Sequence, residues 1–318
     1  MSRHVPGSAC LAQQAHPEVV MRVRRKILAP AIGFLAVALW LSGAAVQAAY
    51  PGKDGRLSFG ARVDGNVDIY SMKENGNDLR RLTTAAGLDI CSAYSADGND
   101  IAFCSNRTGF FEIWTMKANG SAERQVTDLG GFVTFPDYSP DGRRIALGGS
   151  VGDEDSEIYV IDADGTNLVQ LTTDPGGDEL PAWSPSGDKI AFLSDRSGIS
   201  QVWLMDSDGS DQTQLTTDPT PKTQLPDWSP DGSRTAFASQ PGDFADIWVI
   251  DADGTDPVQL TTDPGDDFAP VWSPDGTRIA FLSGRSGVRE LFAMNADGSG
   301  QGSLLPGITA FAPSWQPR

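Results

Sequence analysis

At 318 residues the chain has room for one large domain or two. Its 42 acidic residues against 24 basic ones give a formal charge of −18, which repels phosphate backbones and argues against nucleic acid as a partner. Its only two histidines, His4 and His16, lie near the start, which leaves the body of the chain without a base for a Ser-His-Asp triad or a ligand for a His-based metal site.

Residues 1–48 read as a secretory leader. Arg22, Arg24, Arg25 and Lys26 form a basic cluster, and an apolar stretch follows from Ile27 to Val46. Val46-Gln47-Ala48 then places small residues where a leader peptidase requires them. Pro30, Gly33, Ser42 and Gly43 interrupt the apolar stretch, which favours a cleaved signal peptide over a retained membrane anchor. Met21 is an alternative start that would give a more compact leader. The mature chain, 49–318, keeps 19 basic and 41 acidic residues, so 19 − 41 = −22. Such a surface keeps exported proteins apart, and it also attracts cations or basic protein patches.

From residue 50 onward one phrase recurs. Tyr50, Tyr94, Tyr138, Trp183, Trp228, Trp272 and Trp315 each open it, at intervals of 44, 44, 45, 45, 44 and 43 residues. The fourth unit serves as the template. Strands are expected over 180–184, 189–194, 201–206 and 212–216, separated by Pro185-Ser-Gly187, Asp195-Arg-Ser-Gly198 and Ser207-Asp-Gly209. No segment of the mature chain has a helical period. Four strands in about 44 residues, repeated, predict a blade that buries its faces only by stacking on its neighbours.

The fold class expected is therefore all-β, a six-bladed β-propeller of four-stranded antiparallel blades over 49–318. The first unit enters at Gly52-Lys-Asp-Gly55 and lacks a first strand, while Phe311-Ala-Pro-Ser-Trp315 at the other end repeats Phe268-Ala-Pro-Val-Trp272. The C-terminal strand is expected to complete the first blade and close the ring, which removes an exposed edge. Cys91 and Cys104 flank the Asp97-Gly98 turn symmetrically. A regular two-residue hairpin would set them face to face, so a disulfide is predicted in an oxidising compartment, with two buried thiols as the alternative.

The repeated phrase resembles a known family. Trp-Ser-Pro-Asp-Gly, Ile-Ala-Phe, Ile-Trp or Ile-Tyr, Ala-Asp-Gly and Leu-Thr, in that order, are similar to the TolB-type propeller repeat, and the likeness covers residues 50 to 317. It implies a binding scaffold. In TolB the propeller is a periplasmic part of the Tol–Pal envelope system that binds partner proteins. On this reading the chain is expected to differ from TolB in having no N-terminal α/β domain, and from prolyl-oligopeptidase-type enzymes, which similar propellers cap, in having no hydrolase domain.

Other motifs offer little chemistry. Gly148-Gly-Ser150-Val-Gly152 fits a nucleophile elbow, but that elbow needs a strand-to-helix turn and a His base. Asp162-Ala-Asp-Gly165, Asp206-Ser-Asp-Gly209 and Asp251-Ala-Asp-Gly254 hint at calcium, yet the EF-hand spacing fails and hairpin turns explain them. Arg107, Arg196 and Arg285 share one loop position in three units and read as braces between strands. In an up-and-down blade the second and fourth connections share a face, and here they are the longer ones. Their residues Asp89, Asp178, Glu179, Asp266, Asp267 and Phe268, with Phe110, Asp153, Glu154, Asp155 and Phe244, are expected to form an acidic, aromatic partner-binding mouth.

The predicted protein is thus an exported, monomeric, non-catalytic scaffold, periplasmic or secreted, that binds a protein or peptide. No cofactor is required, though calcium among the channel carboxylates stays open. The alternatives are a carbohydrate-active enzyme using paired carboxylates and a small-ligand or glycan binder.

Overall fold

A computed structural model describes residues 49–63, 65–151 and 155–318. The leader expected over 1–48, and the loop residues Asp153 and Glu154, lie outside the described residues. Among those described, all regular structure is strand, and no helix is long and apolar enough to cross a membrane.

Period-two alternation cut by glycine turns produces six antiparallel sheets of four strands each. The inner strands of blades 1 to 6 are Ala310–Pro317, Asp89–Tyr94, Phe132–Tyr138, Asp178–Trp183, Lys222–Trp228 and Asp267–Trp272. Each packs on the inner strand of the next blade, and the sixth packs on the first, so the ring closes. Closure uses the expected seam. The C-terminal strand pairs antiparallel with Asp54–Val63 and sets Trp315 opposite Leu57.

In blade 4 the middle strands, Lys189–Ser194 and Gln201–Asp206, fall where the sequence puts them. The inner strand starts earlier, at Asp178, because the chain bulges rather than stops at Leu180. Leu180 has φ 61°, and the same left-handed bulge recurs at Cys91 (57°), Phe135 (55°), Ala269 (56°) and Ala312 (46°). Non-glycine residues seldom adopt this conformation, so its repetition in the inner strands of blades 1, 2, 3, 4 and 6 marks a built-in feature of the repeat. The outer strand is only Thr213–Gln214.

The bulge also corrects the disulfide prediction. Cys91 and Cys104 are free, buried thiols. A regular ladder would have paired them, but the bulged strand sets Ile90 opposite Cys104. Cys104 Sγ instead accepts the Phe135 N–H at 3.2 Å. Burial, with the Cys91 thiol beside it, pushes the Cys104 pKa well above the usual thiol range.

The threonine of the Leu-Thr phrase pins each outer strand. Thr172 Oγ1 accepts the Ile158 N–H at 2.9 Å and donates to Glu157 Oε2 at 2.6 Å. Thr127 does the same for Ile113 and Glu112, at 2.8 and 2.5 Å. The aromatic that opens each phrase joins neighbouring blades. Trp183 packs with Ile158 and Val160 of blade 3 and with Ile190, Phe192 and Met205 of its own blade. Arginines of the preceding blade cover these rings: Arg144 lies 4.8 Å from the Trp183 centroid and Arg234 lies 5.0 Å from that of Trp272. Truncating such a buried tryptophan costs about 3–5 kcal/mol, so these rings carry much of the blade-to-blade adhesion.

Candidate functional site

Inner strands begin on the ring face that also carries the loops between second and third strands. The predicted acids lie there in two classes. Asp89, Asp178 and Asp267 open the inner strands of blades 2, 4 and 6 and are completely buried. Asp89 Oδ2 accepts from Arg107 Nη2 at 2.8 Å and its Oδ1 from Ser105 Oγ at 2.6 Å. Arg285 Nη2 donates to Asp267 Oδ2 at 2.6 Å, and Arg196 Nη2 donates to Asp178. Each guanidinium also lies over an aromatic of the third strand, Trp114 at 4.6 Å, Trp203 at 4.9 Å and Phe292 at 4.9 Å. These three carboxylates brace alternate blades and offer no charge to a partner. That part of the predicted mouth is corrected, and the arginines act as braces, as their shared position suggested.

Of the predicted acids, Asp266 and Glu179 do reach the mouth, and Asp155, on a loop between second and third strands, is exposed as well. Asp266 is exposed, and its Oδ1 accepts the Ala245 N–H of the neighbouring blade's loop at 3.0 Å. Glu179 is partly exposed beside the bulge. Desolvation, with the charges of Asp195 and Asp178 nearby, pushes its pKa up to about 8. Phe268 is buried under the Arg289 guanidinium, which lies 4.8 Å from its ring centroid and 5.6 Å from that of Phe311.

Above this floor stands a set of apolar side chains. Phe110 is 58 % exposed and Phe244 44 %, as their loop positions predicted. Ile199 and Val288 join them at 38 % and 42 %. All four occupy one register, two residues before the third strand begins at Glu112, Gln201, Asp246 and Glu290. Three of them follow a left-handed glycine: Gly109 (φ 111°), Gly198 (98°) and Gly287 (87°). A glycine there turns the loop back so that the next side chain points outward. Ile199 and Val288 were missed in the sequence because they are not aromatic. Alignment of the repeats on Arg-x-Gly would have found both.

The opposite end of the ring is held differently. The Ala49 N–H donates to the Trp228 carbonyl at 3.4 Å, Gly52 N–H to Pro274 at 3.1 Å and Lys53 N–H to Arg318 at 2.8 Å. The Tyr50 hydroxyl donates to the Tyr138 carbonyl. These acceptors sit at or just beyond the ends of inner strands in blades 5, 6, 1 and 3. Residues 49–53 therefore cross that end of the channel, and Ala49 and Tyr50 are buried in it.

The Asp-x-Asp-Gly segments form turns. Asp164 Oδ1 accepts the Thr166 N–H at 2.9 Å, and Asp208 and Asp253 do the same for Ser210 and Thr255 at 3.0 Å. Among the described residues, no three His, Cys, Asp or Glu side chains converge as metal ligands. Ser150, the centre of the elbow-like motif, ends a second strand, Arg144–Ser150, in an all-strand sheet. A cavity of about 630 Å³ opens between blades 2 and 3 on the tight-turn side, lined by Asp97, Asp100, Lys117, Arg124, Tyr138 and Asp141 among others. It lies away from the apolar set, and its Lys117 and Asp100 already pair with each other at 2.8 Å.

Comparison with known proteins agrees with this architecture. The TolB beta propeller domain profile matches residues 121–225 and 220–318. No curated protein sequence matches the chain. Among solved structures it resembles TolB from Acinetobacter baumannii, with a TM-score of 0.71 and 22% identity, over 83% of this chain and 67% of that one. It also resembles the Kuenenia stuttgartiensis hydrazine synthase, with a TM-score of 0.68 and 17% identity, over 84% of this chain and 47% of that one. A chain of the nidogen/laminin complex gives a TM-score of 0.66 and 14% identity, over 82% of this chain and 98% of that one. At these identities the structural likeness shows the fold, while the profile covers more than half of the sequence. The chain belongs to the TolB beta propeller domain family.

Proposed function

We propose that the protein is an exported, non-catalytic scaffold that receives a protein or peptide partner on the face bearing Phe110, Ile199, Phe244 and Val288. The carrying observation is that four blades expose an apolar side chain at one equivalent loop position, on one face of a rigid ring. Isolated exposed apolar residues need no explanation, but a register-matched set around one mouth marks an interaction surface. Asp266 and Glu179 supply polar and titratable groups at its centre, so a partner with apolar anchors and a basic or hydrogen-bonding tip fits best.

Three further points support this reading. Residues 49–53 cross the other end of the channel, away from the apolar face. The mature sequence contains no histidine. The resemblance to TolB, whose propeller binds partners in the periplasm, agrees with the leader-like N-terminus. The proposal is tested with a Phe110→Asp/Phe244→Asp variant. It should lose partner capture from the source organism's envelope fraction by at least tenfold, about 1.4 kcal/mol, while its melting curve stays within 2 °C or so of wild type. Undiminished capture would remove this face from the account.

A further inference from the structure

The end of the channel crossed by residues 49–53 contains an uncompensated acid. Asp227 is fully buried at the end of the inner strand of blade 5. One of its oxygens, Oδ2, accepts the Trp272 N–H at 2.6 Å. The other, Oδ1, makes no hydrogen bond of normal geometry, although the Trp228 N–H beside the carboxyl also favours its charged form, and no Lys or Arg among the described residues forms an ion pair with Asp227. A carboxylate buried without a counter-charge is costly. Burial, and the nearby Asp137, hold its pKa well above the usual carboxylate range.

The chain next to this acid is the start of the predicted mature protein. Ala49 is 5 % exposed, and its nitrogen lies 3.4 Å from the carbonyl of Trp228, the residue after Asp227. Tyr50, also buried, feels Asp137 and Asp227 together, and both raise its phenol pKa after burial itself, with Asp141 adding less. In the unprocessed chain the Ala49 nitrogen is an amide with one N–H and no charge. Hydrolysis of the Ala48–Ala49 bond by a leader peptidase consumes one water. It leaves a carboxylate on the departing Ala48 and an amine on Ala49, which takes up a proton at neutral pH. The product has three donors and a full positive charge where the chain had one donor and none.

We propose that leader removal after Ala48 creates a buried N-terminal ammonium that pairs with Asp227 and locks residues 49–53 across this end of the channel. Processing and final stability of the ring are thereby coupled: the charge that Asp227 lacks arrives only when the leader leaves. The inference rests on the exported reading of the chain through the cleavage position alone.

The test expresses the full chain in an exporting bacterial host beside a variant with one glycine inserted between Ala48 and Ala49, each with Asp227 intact and as Asp227→Asn. Intact mass reads every N-terminus. With Asp227 intact, the one-residue extension moves the ammonium by up to ~3.5 Å and should lower the melting temperature by about 5 °C. In the Asp227→Asn background the extension should have no such effect. Equal melting of the first pair, or a difference that persists without Asp227, overturns the pairing. Should Asp227→Asn fail to fold, acylation of the Ala49 amine in the otherwise unaltered protein decides. The native amine should react at least roughly tenfold more slowly than the unfolded one, and equal rates overturn the proposal. Cleavage at another bond overturns this inference and leaves the scaffold reading standing, whereas a chain that is never exported overturns both.

Discussion

Arg285 Nη2 donates to Asp267 Oδ2 at 2.6 Å, and its Nη1 reaches Gln301 Oε1 at 2.7 Å, so one side chain ties the start of an inner strand to the outer edge of its blade. The same brace holds blades 2 and 4 through Arg107 with Asp89 and Arg196 with Asp178. Asp267 is fully buried, so removing the arginine leaves a bare charge in the wall of the channel. Arg285→Ala should cost about 3 kcal/mol in urea unfolding, and adding Asp267→Asn should recover part of that loss. A single-variant cost below ~1 kcal/mol would mean that the brace is surface decoration.

Ring closure gives a second prediction. Trp315 is buried in the seam with Arg278 5.6 Å from its ring centroid, and among the described residues its strand is the only partner of one edge of Asp54–Val63. Trp315→Ala should lower stability by about 3–5 kcal/mol. Truncation before residue 310 should yield an aggregating chain, because it bares a β edge. Chemical denaturation and light scattering check the two. A truncated chain that melts like wild type would contradict the closure.

The buried thiols give a third. Cys91 and Cys104 are fully shielded, and the Cys104 pKa is raised by burial and by Cys91. Under native, non-reducing conditions neither should react with iodoacetamide, and both should react once the chain is unfolded. Unfolded protein with no alkylatable thiol at these positions would restore the disulfide that the sequence suggested.

Glu179 sets a pH dependence. Desolvation, Asp195 and Asp178 raise its folded pKa from the ordinary glutamate value of 4.5 to about 8, so the native state holds a proton that the unfolded state releases. The sign follows from linkage. This contribution to stability is fully present below pH ~4.5 and is lost as pH rises towards and through about 8. Glu179→Gln should flatten the melting temperature between pH 5 and pH 9 or so and raise it at the alkaline end. An unchanged pH profile would place the group in water.

Much of this was legible in the sequence. The spacing of Tyr94, Trp183 and Trp272 gave the blade count, and the likeness of Phe311–Trp315 to Phe268–Trp272 gave the seam. The inner-strand bulge was not legible. Its left-handed residue is Cys, Phe, Leu or Ala by turns, with no glycine to signal positive φ. That one extra residue sank the disulfide expectation. The acids at the mouth were half legible. Sequence placed Asp89, Asp178 and Asp267 on the correct face but could not show that Arg107, Arg196 and Arg285, each 18 residues later, fold back onto them. Charge counted along a chain says nothing of which charges are already paired.

The most direct test of the central claim is crosslinking in the source organism. A photoreactive residue is placed at Phe110 or Phe244, and at Thr166 or Thr255 on the tight-turn side. The account predicts a discrete partner adduct from positions 110 and 244 and none from 166 and 255. Adducts confined to the tight-turn side, or none from positions 110 and 244, would contradict it.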